Sequence, residues 1–282
     1  MRSIWLGLLS ICFSYSALAD DRFADVEIEK TALRNGVYML TGSGGNIGAS
    51  AGTDGLLIVD DQYAPLADKI SAVLKELSPQ PLKYVVNTHM HGDHTGGNAE
   101  FGKSATIFAH HHVLERLSQD DSLPRSAMPV VTYADGVTFH FNDLTIEVQH
   151  YAKGHTDGDS VVWFKQANVL HMGDLFFNGK FPFIDLKRGG SVMGYLNNVK
   201  ALYSQVNNET QIIPGHGPLA DKAALAVNIE MLETHISWVK TAKAEGKTLQ
   251  QLLDEGVPEQ WKSWSWRFID EKRWIETLFQ GL

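Results

Sequence analysis

Cysteine is almost absent from this chain of 282 residues, because Cys12, close to the N-terminus, is the one thiol. A single thiol cannot build a disulfide framework, and a metal site in the rest of the chain has to use nitrogen and oxygen ligands. Dense runs of Lys or Arg are also absent, and the formal net charge is −9. This charge balance disfavours a nucleic-acid groove, so we expect no nucleic-acid partner.

The first nineteen residues have the three regions of a secretory signal peptide in the right order. Arg2 supplies the positive region, Ile4 to Tyr15 the apolar region, and Ala17-Leu18-Ala19 a small-residue cleavage site. The apolar run is short for a membrane span, and a buried N-terminal helix is the alternative. We therefore predict a signal peptide over residues 1–19, a periplasmic or secreted protein, and no membrane anchor after cleavage.

The remaining residues, 20–282, contain no linker-like stretch, so we predict one domain. Short apolar runs typical of strands alternate with amphipathic segments, among them a long helix from Asp221 to Ala244. Both halves of the chain run through strands, then a helix, then a strand that ends at a polar loop, which suggests two similar αβ halves packed face to face. A helical, tryptophan-rich extension closes the chain. Its tryptophans either pack the last helix or form a lid or an oligomer contact, and nothing in the sequence predicts the oligomeric state.

Ligand-type side chains recur at the ends of four predicted strands. The stretch "VVNTHMHGDHTGGN" holds the first four, and "KGHTDGDS", "HMGD" and "PGHG" hold one each. Glycines surround every one of them and permit the tight turns that converging loops require. Together the candidates are His89, His91, Asp93, His94, His155, Asp174 and His216.

Five histidines and two aspartates can hold two divalent cations about 3.5–4 Å apart, with positions left open for water. In an extended segment His89 and His91 project to the same side and can share one ion. The alternative is that each residue is an ordinary polar group of a loop. That explanation suits a single histidine better than the complete set.

The four motifs "THMHGDHTGGN", "GHTDGDSVVWF", "NVLHMGDLFF" and "IIPGHG" resemble, in this order, those of the metallo-β-lactamase superfamily. The resemblance implies an α/β fold in the form of a four-layer αββα sandwich with the metal site at one edge. It also implies a metal-dependent hydrolase in which His89, His91 and His155 bind one metal. Asp93, His94 and His216 would bind the other, with Asp174 between the two.

Asp174 departs from the zinc β-lactamases that these motifs most resemble, which carry a cysteine there. An aspartate is typical of glyoxalase II, the lactonases and other hydrolases of the superfamily. Three functions follow: a hydrolase of β-lactam-type cyclic amides, a hydrolase of esters, lactones or thioesters, and an iron-dependent oxidoreductase of the same fold. A non-catalytic metal-binding protein is a fourth alternative.

Zn²⁺ is the expected ion in an exported protein, although Fe or Mn also suits these ligands. Two zinc ions would make a bridging hydroxide available near pH 7 to attack a substrate carbonyl. Asp93 is the predicted catalytic residue, because it can orient that hydroxide or relay its proton. Lys180 and Arg188 are candidates for binding a carboxylate of a small-molecule substrate, or else they are solvated loop charges.

Overall fold

The computed structural model describes residues 21–282. The predicted signal peptide, residues 1–19, lies outside the described residues. In the part that is described, no helix is both long and apolar enough to cross a membrane.

The first sheet has seven strands in chain order, antiparallel from β1 to β4 and parallel from β4 to β7. Its strands form where the sequence has short apolar runs between glycines and polar turns, as expected. β1 is the exception, because all of its residues are exposed. The strands are β1 (Glu29–Ala32), β2 (Val37–Thr41), β3 (Ile47–Gly52), β4 (Gly55–Val59), β5 (Leu82–Val86), β6 (Thr106–His110) and β7 (Val131–Tyr133).

The second sheet has five strands in the order β12-β11-β10-β9-β8, with one parallel pair, β11 and β12. Its central strand is buried on both faces. The strands are β8 (Gly136–Phe141), β9 (Leu144–His150), β10 (Ser160–Phe164), β11 (Val169–His171) and β12 (Gln211–Ile213).

Helices cover the outer faces of both sheets. Asp221 caps the longest of them by accepting a hydrogen bond from the Ala224 backbone N–H. The helices are α1 (Ala67–Leu77), α2 (Gly92–Thr95), α3 (Asn98–Phe101), α4 (His111–Leu117), α5 (Val192–Gln205), α6 (Lys222–Ala244), α7 (Leu249–Glu255) and α8 (Glu271–Gly281).

Three hydrophobic layers hold these elements together. Side chains from both sheets, such as Val59 and Val162, form the layer between the sheets. The outer face of the first sheet packs on α1, and that of the second packs on α5, α6 and α8. The result is the predicted four-layer αββα sandwich.

The strand directions bring the motif loops to one edge. β9 and β11 run in the same direction because β10 is antiparallel to both, and β12 runs with them because it is parallel to β11. The loops that follow these three strands carry His155, Asp174 and His216. The loop after β5 carries His89 and His91, and the short helix α2 that follows carries Asp93 and His94.

Candidate metal centre

The seven predicted ligand side chains meet between the two sheets. Possible ligand atoms fall into two groups, each with its members within 4.8 Å of one another. One group is His89, His91, His155 and Asp174, and the other is Asp93, His94 and His216. Each group combines residues from the first half of the chain with residues from the second.

Asp174 lies between the two groups, with one oxygen toward each. Its Oδ2 is 3.4 Å from His155 Nε2 and 3.7 Å from His89 Nε2. Its Oδ1 is 3.1 Å from His94 Nε2 and 3.5 Å from His216 Nε2. A single carboxylate therefore faces both positions at which a cation would bind.

Asp93 borders the second group from the open side. Its Oδ2 lies 3.3 Å from His216 Nε2 and 3.7 Å from His94 Nε2. The side chain of Asp93 is 23% exposed, whereas that of Asp174 is 4% exposed. Of the two carboxylates, Asp93 is thus the one that a bound substrate can reach.

Unsatisfied buried atoms show that the arrangement suits a cation. His89 Nε2, His94 Nε2 and Asp174 Oδ1 are buried and have no hydrogen-bond partner. Buried polar atoms are normally paired. Ligands that share one zinc at about 2.1 Å in tetrahedral geometry lie about 3.4 Å apart, which is close to the spacings around Asp174. The donor set and the spacing therefore fit divalent metal ions.

Residues 48–216 match the metallo-beta-lactamase superfamily. The chain belongs to this superfamily.

Similar proteins agree with that assignment. Metallo-beta-lactamase type 2 of Bacillus cereus is 24% identical over 184 residues, covering 64% of this chain and 69% of that protein. "Probable metallo-hydrolase YqgX" of Bacillus subtilis is 29% identical over 180 residues, covering 58% of this chain and 84% of that protein. The solved structure of a metallo-beta-lactamase from Pontibacter korlensis has the same fold, with a TM-score of 0.62 at 20% identity. The matched region covers 73% of this chain and 99% of the Pontibacter korlensis chain.

These findings confirm the predicted superfamily, the fold and the class of metal-dependent hydrolase. The superfamily is metal-dependent, and this chain has a His/Asp cluster able to bind metal. The identity of the ions and the role of each residue as a ligand remain predictions.

A buried aspartate that the sequence analysis missed orients one histidine of each metal group. Asp60 directly follows β4 and accepts hydrogen bonds from the backbone N–H and the hydroxyl of Thr88. Thr88 Oγ1 in turn accepts from His89 Nδ1 at 3.0 Å, and Asp60 Oδ2 accepts from His94 Nδ1 at 2.7 Å. Because Nδ1 donates in both imidazoles, Nε2 is the atom of each that can bind a cation after it has lost any proton. The signal for Asp60 is a carboxylate at a strand end in "LLIVDD", the same signal that marks Asp174.

Asp185 and a backbone carbonyl orient the other two histidines of the first group. His91 Nε2 lies 3.1 Å from Asp185 Oδ2, and His155 Nδ1 lies 2.6 Å from Phe183 O. If both donate there, the atoms that face each other, His91 Nδ1 and His155 Nε2, are both acceptors, 2.8 Å apart. Two lone pairs at that distance repel each other unless a cation lies between them. The sequence gives no sign of the role of Asp185, because in "NGKFPFIDLKRGG" it lies between two apolar residues with no histidine nearby.

The two groups differ in their protonation. Burial lowers the pKa of His155 to about 4, and burial together with nearby His94 lowers the pKa of His89 well below its usual value. Burial would also lower the pKa of His94, but the carboxylates of Asp174, Asp93 and Asp60 raise it well above its usual value. His89 and His155 are therefore ready to accept a cation at neutral pH, whereas His94 holds a proton that a metal has to displace.

The two predicted substrate-binding residues lie on different sides of the site. Lys180 is half-buried, and its Nζ lies 4.9 Å from the ring centre of Trp266. Burial lowers the pKa of Lys180. Arg188 donates a hydrogen bond to Gln119 Oε1 and lines a cavity of about 310 Å³ beside α2. Their role in substrate binding remains a prediction.

Proposed function

We propose that this protein is an exported dinuclear zinc hydrolase that opens an amide or ester carbonyl in the manner of a β-lactamase. The observation that carries the proposal is the position of Asp174. Its two oxygens face two separate groups of imidazoles, and each group has a buried Nε2 atom without a hydrogen-bond partner, that of His89 in one and that of His94 in the other. A mononuclear site would not need the second group.

Two zinc ions, when bound, would supply Lewis acidity toward a carbonyl oxygen and lower the pKa of water toward about 7. His89, His91 and His155 would hold one ion, and Asp93, His94 and His216 the other. Asp174 would contact both.

Asp93 would be the catalytic residue. Burial would raise its pKa, but the charge of His94 and the hydrogen bond with His216 lower it below the usual value. The carboxylate therefore stays ionised at neutral pH and can accept a proton. Because it is partly exposed, it can pass that proton to the leaving group of a substrate in the open part of the site.

The proposed substrate is a small molecule with a cyclic amide of the β-lactam type. The relative from Bacillus cereus, named as a metallo-β-lactamase, supports this class. Lys180 would bind a carboxylate of the substrate, and Arg188 would serve as a second cation near the site. A nucleic-acid partner has no place in the proposal.

A second candidate is a hydrolase of esters, lactones or thioesters on the same metal pair. Asp174 favours it, because the resemblance links an aspartate at this position to glyoxalase II and the lactonases. Export to the periplasm or beyond belongs to both candidates. An N-terminus at Asp20 in the protein recovered from the periplasm or medium would support export, and an intact N-terminus would contradict it.

The deciding experiment is metal quantification of the purified protein, followed by a substrate panel. Two zinc ions per chain and turnover of nitrocefin or a carbapenem are expected. Turnover of lactones or thioesters alone would favour the second candidate, and predominant iron would favour the oxidoreductase. Asp93→Asn, assayed with zinc in excess, should leave the fold intact and lower kcat by about 10²-fold or more, the range for a lost proton-transfer group. Full turnover by this variant at full metal occupancy would refute the role of Asp93.

A further inference from the structure

Aromatic side chains from two distant segments line one side of the metal centre. Two belong to the loop after Asp174, and two belong to the C-terminal extension. We name this surface the aromatic wall, and its members are Phe177, Phe183, Trp266 and Phe268.

One end of the wall lies against the second metal group. Phe177 stacks on the imidazole of His216, with ring centres 5.0 Å apart and an angle of 18° between the planes. The ring of Trp266 lies 5.6 Å from His216 and 6.0 Å from Phe177. Trp266 is fixed there because its Nε1 donates a hydrogen bond to the backbone oxygen of Phe181.

The other end of the wall lies against the first metal group. The ring of Phe183 is 5.5 Å from His91 and 5.6 Å from His155. Phe268 packs against Phe183 with ring centres 5.3 Å apart. The wall therefore runs past both positions at which a cation would bind.

The extension divides its aromatic residues between the core and the wall. Trp261 and Trp274 are 5% and 0% exposed and pack with the second sheet, in line with the alternative in which the tryptophans pack the last helix. Phe268, in contrast, is 48% exposed. The chain holds this ring in place. The Arg273 guanidinium lies 4.3 Å above the ring and donates a hydrogen bond to Phe268 O.

The wall is partly outside the region that defines the family. The superfamily match ends at residue 216, so Trp266 and Phe268 come from a segment beyond it. A segment of this kind can change which substrates are bound without changing the metal ligands.

We propose that the aromatic wall binds a flat apolar substituent, aromatic or conjugated, attached next to the scissile carbonyl. This inference rests on the proposed hydrolase function. Phe177 is 1% exposed and supports the wall by packing on His216, so the rings of Phe183, Trp266 and Phe268 would contact such a group. Trp266 and Phe268 would act as specificity-determining residues. A substrate that carries only a methyl group at this position would gain nothing from the wall.

Ligand binding tests the wall without relying on turnover. Phenylacetate and acetate share a carboxylate and differ by a phenyl ring, so calorimetric titration of the zinc-loaded protein with each isolates the contribution of that ring. Phe268→Ala should weaken phenylacetate binding about 5- to 10-fold, the range expected for one aromatic contact. Acetate binding should stay the same.

Two matched variants complete the test. Val227→Ala removes another exposed apolar side chain, 44% exposed and located on α6, and should change neither affinity. Phe268→Tyr keeps the ring and should retain the preference for phenylacetate within about 2-fold. Unchanged phenylacetate affinity in Phe268→Ala, an equal loss for both ligands, or a loss in Phe268→Tyr as large as in Phe268→Ala would each overturn the proposal.

Kinetics separate the wall from the function on which it rests. For phenylacetyl and acetyl esters or amides, Phe268→Ala should lower kcat/KM for the phenylacetyl compound alone. If no carbonyl compound is turned over but the difference between the two ligands persists, the proposed hydrolase fails and the wall stands. If turnover is found but does not depend on the ring, the wall fails and the hydrolase stands.

Discussion

Replacing Asp60 by asparagine should weaken both metal positions without altering a single predicted ligand. Asp60 is fully buried, and its backbone φ of 64° lies in the left-handed region, which asparagine also tolerates. The amide oxygen can still accept from the Thr88 backbone N–H. The amide nitrogen would then face the Thr88 hydroxyl and His94 Nδ1, where the carboxylate oxygen now accepts from both.

The expected magnitude follows from these contacts. Loss of a hydrogen-bonded partner behind a metal ligand typically costs about 10- to 100-fold in affinity, or roughly 1.4–2.8 kcal/mol. The position held by His94 should lose more, because the contact with Asp60 is direct. The position held by His89 should lose less, because Thr88 lies in between.

Zinc titration against a chromophoric chelator measures both binding steps. The neighbouring variant Asp61→Asn is the control: Asp61 is equally buried, and its Oδ1 accepts from the Gly97 backbone N–H. The side-chain hydrogen bond of Asp61 goes to Gly97 and not to a predicted ligand, and an asparagine oxygen can keep it, so zinc binding should change little. The reasoning is refuted if Asp60→Asn binds both ions as tightly as the wild type, or if Asp61→Asn loses as much.

Three further outcomes are expected. Gly45→Ala should reduce the zinc content, because its new Cβ would lie 2.1 Å from the His94 ring, whereas Gly92→Ala, with nothing within 4 Å, should bind zinc normally; equal zinc content in both would contradict this. Burial lowers the folded-state pKa of His235 to about 4, so its stabilising effect is complete above about pH 6.5 and is lost as the pH falls toward 4. Between pH 7 and pH 5 the unfolding free energy of the wild type should therefore fall by about 2 kcal/mol more than that of His235→Leu, as measured by denaturant titration. An equal fall in both proteins would contradict this prediction. Lys180→Ala should raise KM for substrates that carry a carboxylate and leave kcat unchanged; an unchanged KM would remove Lys180 from substrate binding.

The sequence predicted the parts of the site that are contiguous in the chain. In "HMHGDH" four ligand-type residues fall within six positions, and each remaining candidate follows an apolar strand and adjoins glycines. Such local density is visible without a structure. Asp60 and Asp185 have no histidine beside them in the sequence, and only the folded chain shows that they contact His94 and His91.

The fold was predictable to a similar extent and for a similar reason. Strands with buried faces leave an apolar pattern, and these strands were expected. β1 leaves none, because Glu29–Ala32 is exposed throughout and is held by backbone pairing with β2. The tryptophans show the same limit. Trp261 enters the core and Trp266 reaches His216, although both stand in one short tryptophan-rich stretch, and hydrophobicity alone does not distinguish them.

Asp174 also has a consequence for the chemical durability of the centre. A thiolate at this junction would be open to sulfenic acid formation and to disulfide exchange. The carboxylate undergoes neither reaction, and the two ligand groups consist only of histidines and aspartates. Peroxide and thiol-modifying reagents should therefore leave the ligands of this site unchanged.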